Sequence, residues 1–195
     1  MALSNTALAG SISSLFYTSS PDSWVGAGET VEVTSLDGFD FFVHRNFDNG
    51  VSFAINDFAN NPDFWSTQWW YLDLAAPYQA PLQVGTYYSA TRFPFQSNAT
   101  PGLDFSGNGR GNNTLIGAFE VLQADYADDG SVIVFAANFI QYDEGFPSWW
   151  IIGGIRYTST NDVHTIPEPS SIVLLSFGVM VFGGLHLKKR QSQQI

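Results

Sequence analysis

The 195-residue chain predicts an all-β fold, a β-sandwich or jelly-roll-like ectodomain followed by one C-terminal transmembrane helix. Three observations carry that expectation. Apolar residues recur with a period of two through most of residues 10–160, the signature of half-buried strands. Aromatic residues reach 16% while charged residues stay at 13%, a balance that favours strands with large buried side chains. A single long apolar run, residues 171–187, stands near the C-terminus without a formal charge apart from the titratable His186.

Taken in order, residues 1–9 end in Ala7-Leu8-Ala9 before Gly10, the small-residue pattern at which signal peptidase cuts. They lack the basic and apolar regions of a complete signal peptide, so they are expected to be its remnant, with translation starting further upstream. Residues 30–36 alternate, and so do residues 38–45, where Phe39, Phe41 and Val43 interleave with Asp40, Phe42 and His44. Further strand-like runs are residues 51–56, 67–74, 84–92, 114–124, 131–142 and 149–159. Between two of them Ala127-Asp128-Asp129-Gly130 marks a tight hairpin, because Asp-Gly supplies the positive φ that such turns require. Some eight or nine strands and no long amphipathic helix point to a sandwich. Residues 161–170 read as a linker, and no internal repeat is visible.

Charge narrows the partners. Of the 18 acidic side chains all but Glu168 precede residue 166, whereas Arg45, Arg92, Arg110 and Arg156 are the only bases there. Such a body repels phosphate backbones, which demand clustered Lys and Arg, so nucleic acid is excluded as a partner. Neutral sugars remain compatible. The chain has no cysteine, hence no disulfide, thiolate metal site or cysteine nucleophile.

As a helix, residues 171–187 would rise roughly 26 Å, close to the ~30 Å of a bilayer's hydrocarbon core. Gly178, Gly183 and Gly184 suit helix packing in lipid. Lys188, Lys189 and Arg190 follow, and the positive-inside rule keeps residues 188–195 cytoplasmic with residues 1–165 outside. Immediately before the run stands Pro167-Glu168-Pro169, whose prolines hold the segment extended and out of the helix. This order of motif, apolar helix and basic cluster over residues 166–190 resembles the PEP-CTERM sorting domain. The resemblance implies processing near Pro167, Glu168 and Pro169 by an exosortase-type transpeptidase, in an exopolysaccharide-producing Gram-negative bacterium.

The body also resembles, over residues 90–97 and 102–114, an uncharacterised domain of secreted bacterial proteins. In similar sequences cysteines occupy the places of Asn112 and Asp143, which implies that these two residues lie side by side.

Candidate chemistry is sparse. Asp104, Ser106 and Asn108 partly fit a calcium loop, with oxygens at alternate positions, but Leu115 stands where a bidentate Glu belongs and Arg110 brings in a cation. A Gly/Asn-rich loop is the alternative. Trp65, Trp69, Trp70, Tyr71, Trp149 and Trp150 are candidates for stacking on sugars, although neighbouring strand residues face opposite sides, so one of each adjacent tryptophan pair is expected in the core. His44 near Asp40 and Asp48 reads as a solvated histidine. Asp128-Asp129 and Asp143-Glu144 read as turn carboxylates. No nucleophile–base spacing is present, so no catalytic residue and no cofactor is assigned and the body is expected not to be an enzyme. The function expected is that of an exported envelope or matrix protein with a structural or adhesive body in an exopolysaccharide setting. Its location is the inner membrane, single-pass, then the cell surface or medium after processing. The alternative is a carbohydrate-binding module; a secreted hydrolase is a third possibility.

Overall fold

Alternation along each run decides which side chains leave water. In a computed structural model that describes residues 12–159, ten strands form: β1 (Ser14–Ser19), β2 (Thr30–Thr34), β3 (Asp40–Arg45), β4 (Val51–Asn56), β5 (Trp69–Ala75), β6 (Gly85–Arg92), β7 (Gly102–Gly107), β8 (Leu115–Tyr126), β9 (Val132–Asp143) and β10 (Trp150–Thr158). Leu15 and Tyr17, Phe53 and Ile55, Leu72 and Leu74, and Leu103 and Phe105 are buried, while their sequence neighbours face outward. The ends of β8 and β9 meet at the expected hairpin, closed by Gly130 N–H donating to Ala127 O at 2.8 Å, with Gly130 at φ 83°.

The strands make one sheet in the order β2-β1-β10-β9-β8-β6-β7-β5-β4-β3. It curls so that its halves pack face to face. Tyr17 of β1 meets Trp70 and Phe105 with ring centroids 6.1 and 5.2 Å apart, and Phe53 of β4 lies 5.5 Å from Phe135 of β9. The all-β expectation holds. The two layers, however, belong to one continuous sheet instead of the separate sheets of a jelly roll. Strand β6 carries the crossing, bent by an irregularity between Tyr87 and Ala90.

At this crossing the ladder is incomplete. β6 pairs with β7 only at Thr91↔Gly102 and Arg92↔Leu103, which leaves the edge of β7 beyond it without a backbone partner. The side chain of Gln141, fully buried on β9, fills the gap: its Oε1 accepts from Phe105 N at 2.8 Å and its Nε2 donates to Phe105 O at 2.9 Å. The amide thus acts as one more residue of backbone. Next to it Asp143, also fully buried, accepts four hydrogen bonds. Oδ2 takes Ser23 Oγ (2.7 Å) and Val25 N (2.9 Å); Oδ1 takes Asn112 Nδ2 (2.9 Å) and Gln141 Nε2 (3.1 Å). Asn112 and Asp143 therefore do lie side by side, joined by a buried hydrogen bond.

The sheet ends at β2 and β3. They are joined through a 3-10 turn, Ser35–Asp37, in which Asp37 Oδ2 accepts from Thr34 N and Thr34 Oγ1. The two edges remain unpaired with each other in the strand order, and they carry Glu32 on one side and Asp40, His44 and Arg45 on the other.

No helix among the described residues is long and apolar enough to cross a membrane. The Ala7–Ala9 pattern, the Pro167-Glu168-Pro169 motif, the apolar run 171–187 and the basic cluster Lys188, Lys189 and Arg190 lie outside the described residues.

Asp143→Ala removes the acceptor of two buried side-chain donors, one backbone N–H and the Gln141 amide, and should lower the unfolding free energy by about 3 kcal/mol. Gln141→Leu, which orphans Phe105 N and O, should lower it by about 2 kcal/mol. Equilibrium urea denaturation measures both, and a loss under about 0.5 kcal/mol in both variants would contradict the role given to this crossing.

Candidate functional site

Register places side chains of neighbouring strands in rows, since directly paired residues point to the same face. On the outer face of β3, β4, β5 and β7 three rows follow from the pairing. Asp40, Asn56 and Trp69 form the first; Phe42, Ala54, Tyr71 and Ser106 the second; His44, Ser52, Asp73 and Asp104 the third.

In the second row Phe42 is 58% exposed and Tyr71 47% exposed, with the methyl of Ala54 between them. Two strand spacings, about 10 Å, separate the aromatic positions, so their rings border a shallow trough over Ala54. Trp69 extends the trough toward the first row; its ring lies 5.3 Å from that of Tyr71 at 55°. Asp40, Asn56 and Ser106 supply polar groups around it.

The third row holds a pair of carboxyls. Asp73 and Asp104 are direct partners across β5 and β7. Burial pushes Asp73 above the ordinary carboxylate range, countered by the hydrogen bond from Ser52 Oγ and by the His44 charge. Burial pushes Asp104 further, up to about 7; Arg92 opposes the shift and the charges of Asp73 and Asp143 add to it. Asp104 Oδ1 is buried without a hydrogen-bond partner, as is Arg92 Nε. The Ser52 hydroxyl is directed to Asp73, and no hydrogen bond joins it to His44, so the row is not arranged as a nucleophile with an imidazole base.

The residues singled out from sequence fall in different places. Trp65, 91% exposed, sits on the 3-10 turn Phe64–Ser66 before β5, and Trp69 is half-buried on the outer face. Trp70 is in the core at 2% exposure, as alternation requires. Trp149 and Trp150 are both half-buried at the start of β10, in the other half of the sheet, with Trp149 packed on Phe146 at 4.8 Å; neither is a core residue. The five tryptophans thus form no common platform. His44 is exposed at the edge of the third row.

The residues of the calcium candidate do not share one loop. Asp104 and Ser106 belong to strand β7, where successive outward residues are about 7 Å apart and do not converge on one ion. Asn108 Oδ1 accepts from Trp69 N at 2.9 Å, which fastens the end of β7 to β5. Among the described residues no three His, Asp or Glu side chains are grouped to hold a metal ion.

Sequence reasoning named Tyr71 and Trp69 as stacking candidates but missed Phe42 beside them and the Asp73–Asp104 pair. Each stood at an outward position of its run, but only the strand order brings them together. Comparison with family models, with curated proteins and with solved structures finds no match for this chain.

The raised Asp104 sets a direction for stability against pH. Below about pH 4 the carboxyl is protonated folded and unfolded alike; between about pH 4 and about pH 7 the unfolded chain ionises it while the folded protein retains the proton, so stability falls as pH rises and levels off above. Asp104→Asn should remove most of that decline, raising the urea midpoint over wild type at about pH 8 with little change at about pH 4. Parallel profiles for variant and wild type would show that Asp104 does not hold the proton.

Proposed function

We propose that the body is an adhesive module that holds neutral polysaccharide on the outer face of β3, β4, β5 and β7. The observation that carries this reading is the exposed aromatic trough of Phe42 and Tyr71, extended by Trp69. Flat rings offer an apolar surface to the C–H face of a pyranose, and the bordering polar side chains offer hydrogen bonds to its hydroxyls. The acidic body supports a neutral polymer over an anionic one, because phosphate, sulfate or uronate groups would meet like charge.

Delivery is the second part of the proposal and rests on the tail's resemblance to the PEP-CTERM domain. The chain is exported, held in the inner membrane by residues 171–187 with its body outside and Lys188, Lys189 and Arg190 in the cytoplasm. An exosortase-type transpeptidase then processes it near Pro167-Glu168-Pro169, leaving the body at the cell surface or in the exopolysaccharide matrix.

Affinity electrophoresis through gels containing the host's neutral exopolysaccharide tests the first part. Wild-type protein should be retarded, and the Phe42→Ala/Tyr71→Ala double variant, with unchanged circular dichroism, should bind at least about tenfold more weakly, some 1.4 kcal/mol. Equal mobility of the two proteins with and without polysaccharide would remove the reading. For the second part, intact-mass analysis from the native host should show a C-terminus cut near residues 166–170 only when the exosortase is present; an unchanged C-terminus in both strains refutes the sorting step.

A further inference from the structure

The thirty residues from Leu74 to Leu103 hold one charged side chain, Arg92, in a body where acids far outnumber bases. Most of them fold as β6 and the loops on either side of it, residues 76–84 and 93–101. Together with the loop between β3 and β4, residues 46–50, these loops make one flank of the sandwich. Hydrogen bonds join them: Asn49 Nδ2 donates to Gln79 O at 2.9 Å, and Tyr78 N donates to Asn98 O at 2.6 Å. Phe47 and Phe93 pack across the seam with ring centroids 5.4 Å apart.

The flank presents aromatic rings to water. Phe47, Tyr78 and Phe95 are 72%, 70% and 72% exposed, and Pro94 is exposed beside Phe95. Tyr78 holds φ at 61°, a left-handed value that costs free energy for a residue with a Cβ and persists because the joined loops enforce it. The charges nearest the rings are mostly cationic. Arg92 lies over the Phe95 ring at 4.9 Å, and Arg45 donates to Asn49 O and Gly50 O. The carboxylate of Asp48 is buried and engaged by Gln96 Nε2. Asp125, Asp128 and Asp129 of the neighbouring β8–β9 hairpin stand to either side of Tyr126 and set this region against an anionic surface.

The chain leaves the body beside this flank. Ser159 N donates to Ile133 O, and the next residue of β9, Val132, pairs with Tyr126 of β8. The Tyr126 hydroxyl donates to Leu82 O at 3.0 Å, and its ring lies 4.6 Å from the Arg45 guanidinium. Strands β9 and β8 therefore separate the exit from Leu82 and Arg45, about three strand spacings or roughly 15 Å. Residues 160–170 lie between the exit and the apolar run 171–187. Fully extended, that segment reaches at most about 40 Å, so a chain anchored by the run keeps its body within that distance of the bilayer.

We propose that this flank rests on the outer surface of the membrane, with Phe47, Tyr78 and Phe95 in the interface of a zwitterionic phospholipid bilayer. The inference rests on the anchoring by residues 171–187 and adds to it how the body sits. Aromatic rings are favoured at the headgroup level, where the ring leaves water while a hydroxyl such as that of Tyr78 stays in it. Arg45 and Arg92 bring cations to the level of the lipid phosphates. Three rings alone attach weakly, but the anchor makes the contact intramolecular and raises its effective concentration, so a weak contact is held. Because β3 and β5 run into the loops of this flank, those strands stand up from the surface and the aromatic trough faces sideways, along the membrane.

The test uses the full-length chain in phosphatidylcholine vesicles. The chain has no cysteine, so a single introduced one carries a bimane label. One label goes on the flank through Ala99→Cys. The other goes through Asp22→Cys in the loop between β1 and β2, which Ser20 N, donating to Trp150 O, ties to the end of β10 remote from the exit. Phosphatidylcholine carrying a nitroxide just below its headgroup should quench the label of Ala99→Cys and leave that of Asp22→Cys at its intensity in unlabelled lipid. Phe47→Ser/Phe95→Ser should abolish the quenching while the protein still floats with the vesicles. Tyr78→Asn, which tolerates the left-handed backbone and alters only an exposed ring, should lower the quenching by itself and keeps the test valid if the double variant misfolds. The proposal is overturned by equal quenching at the two labels, or by quenching at Ala99→Cys that survives both variants. A blue shift at Ala99→Cys that grows with the protein-to-lipid ratio without nitroxide quenching gives the flank to a second copy and overturns it as well. A chain that does not float with the vesicles loses the anchor, and this contact with it; a chain that floats with Ala99→Cys unquenched loses the contact alone.

Discussion

Asp143 carries a negative charge into the interior with no cation hydrogen-bonded to it, and much of the sandwich is arranged around satisfying that charge. Ser23 and Val25 come from the loop between β1 and β2, Asn112 from the segment between β7 and β8, and Gln141 from β9 itself. An isolated buried carboxylate would cost several kcal/mol, whereas four hydrogen bonds replace most of its hydration. The constraint is mutual. Each donor segment is positioned because the carboxylate needs it, and Gln141, held by Asp143, in turn supplies the missing ladder partner of β7. The hydrogen bond from Asn112 to Asp143 ties the segment after β7 to the end of β9, and burial keeps water from competing for it.

From that crossing the rest of the outer face follows. With β7 held against β5, Asp104 must face Asp73, and the same register sets Tyr71 beside Ala54 and Phe42 beyond it. The carboxyl pair and the aromatic trough are thus two rows of one register. A shift of one residue in β5 would send Tyr71 and Asp73 into the core and bring Trp70, Leu72 and Leu74 to the surface. Burial of Trp70 at 2% exposure, packed on Tyr17 and Phe39, sets a large hydrophobic penalty against such a shift.

All eight runs read as strands in the sequence are strands, and the Asp129-Gly130 turn stands where its φ requirement places it. Two strands were not legible. β1 is short and rich in serine and threonine, so only Leu15, Phe16 and Tyr17 carry an apolar signal. In β7 and just past it the alternation of Asp104, Ser106 and Asn108 imitates a metal loop, because oxygen-bearing residues at every second position are equally what a strand shows when one face is polar. The candidate site was less legible still. Phe42, Ala54 and Tyr71 are far apart in sequence, and the strand order that assembles them is set by long-range packing that no local period encodes.

The two open edges of the sheet bear on how copies of the body approach one another. Unpaired N–H and C=O groups along β2 and β3 would template strand addition from a neighbouring molecule. Glu29 and Glu32 stand beside the β2 edge, whereas the β3 edge carries both Asp40 and Arg45, so like charge opposes the pairing of two β2 edges. That opposition weakens as salt rises, since screening shortens the reach of the repulsion to about 8 Å at physiological ionic strength.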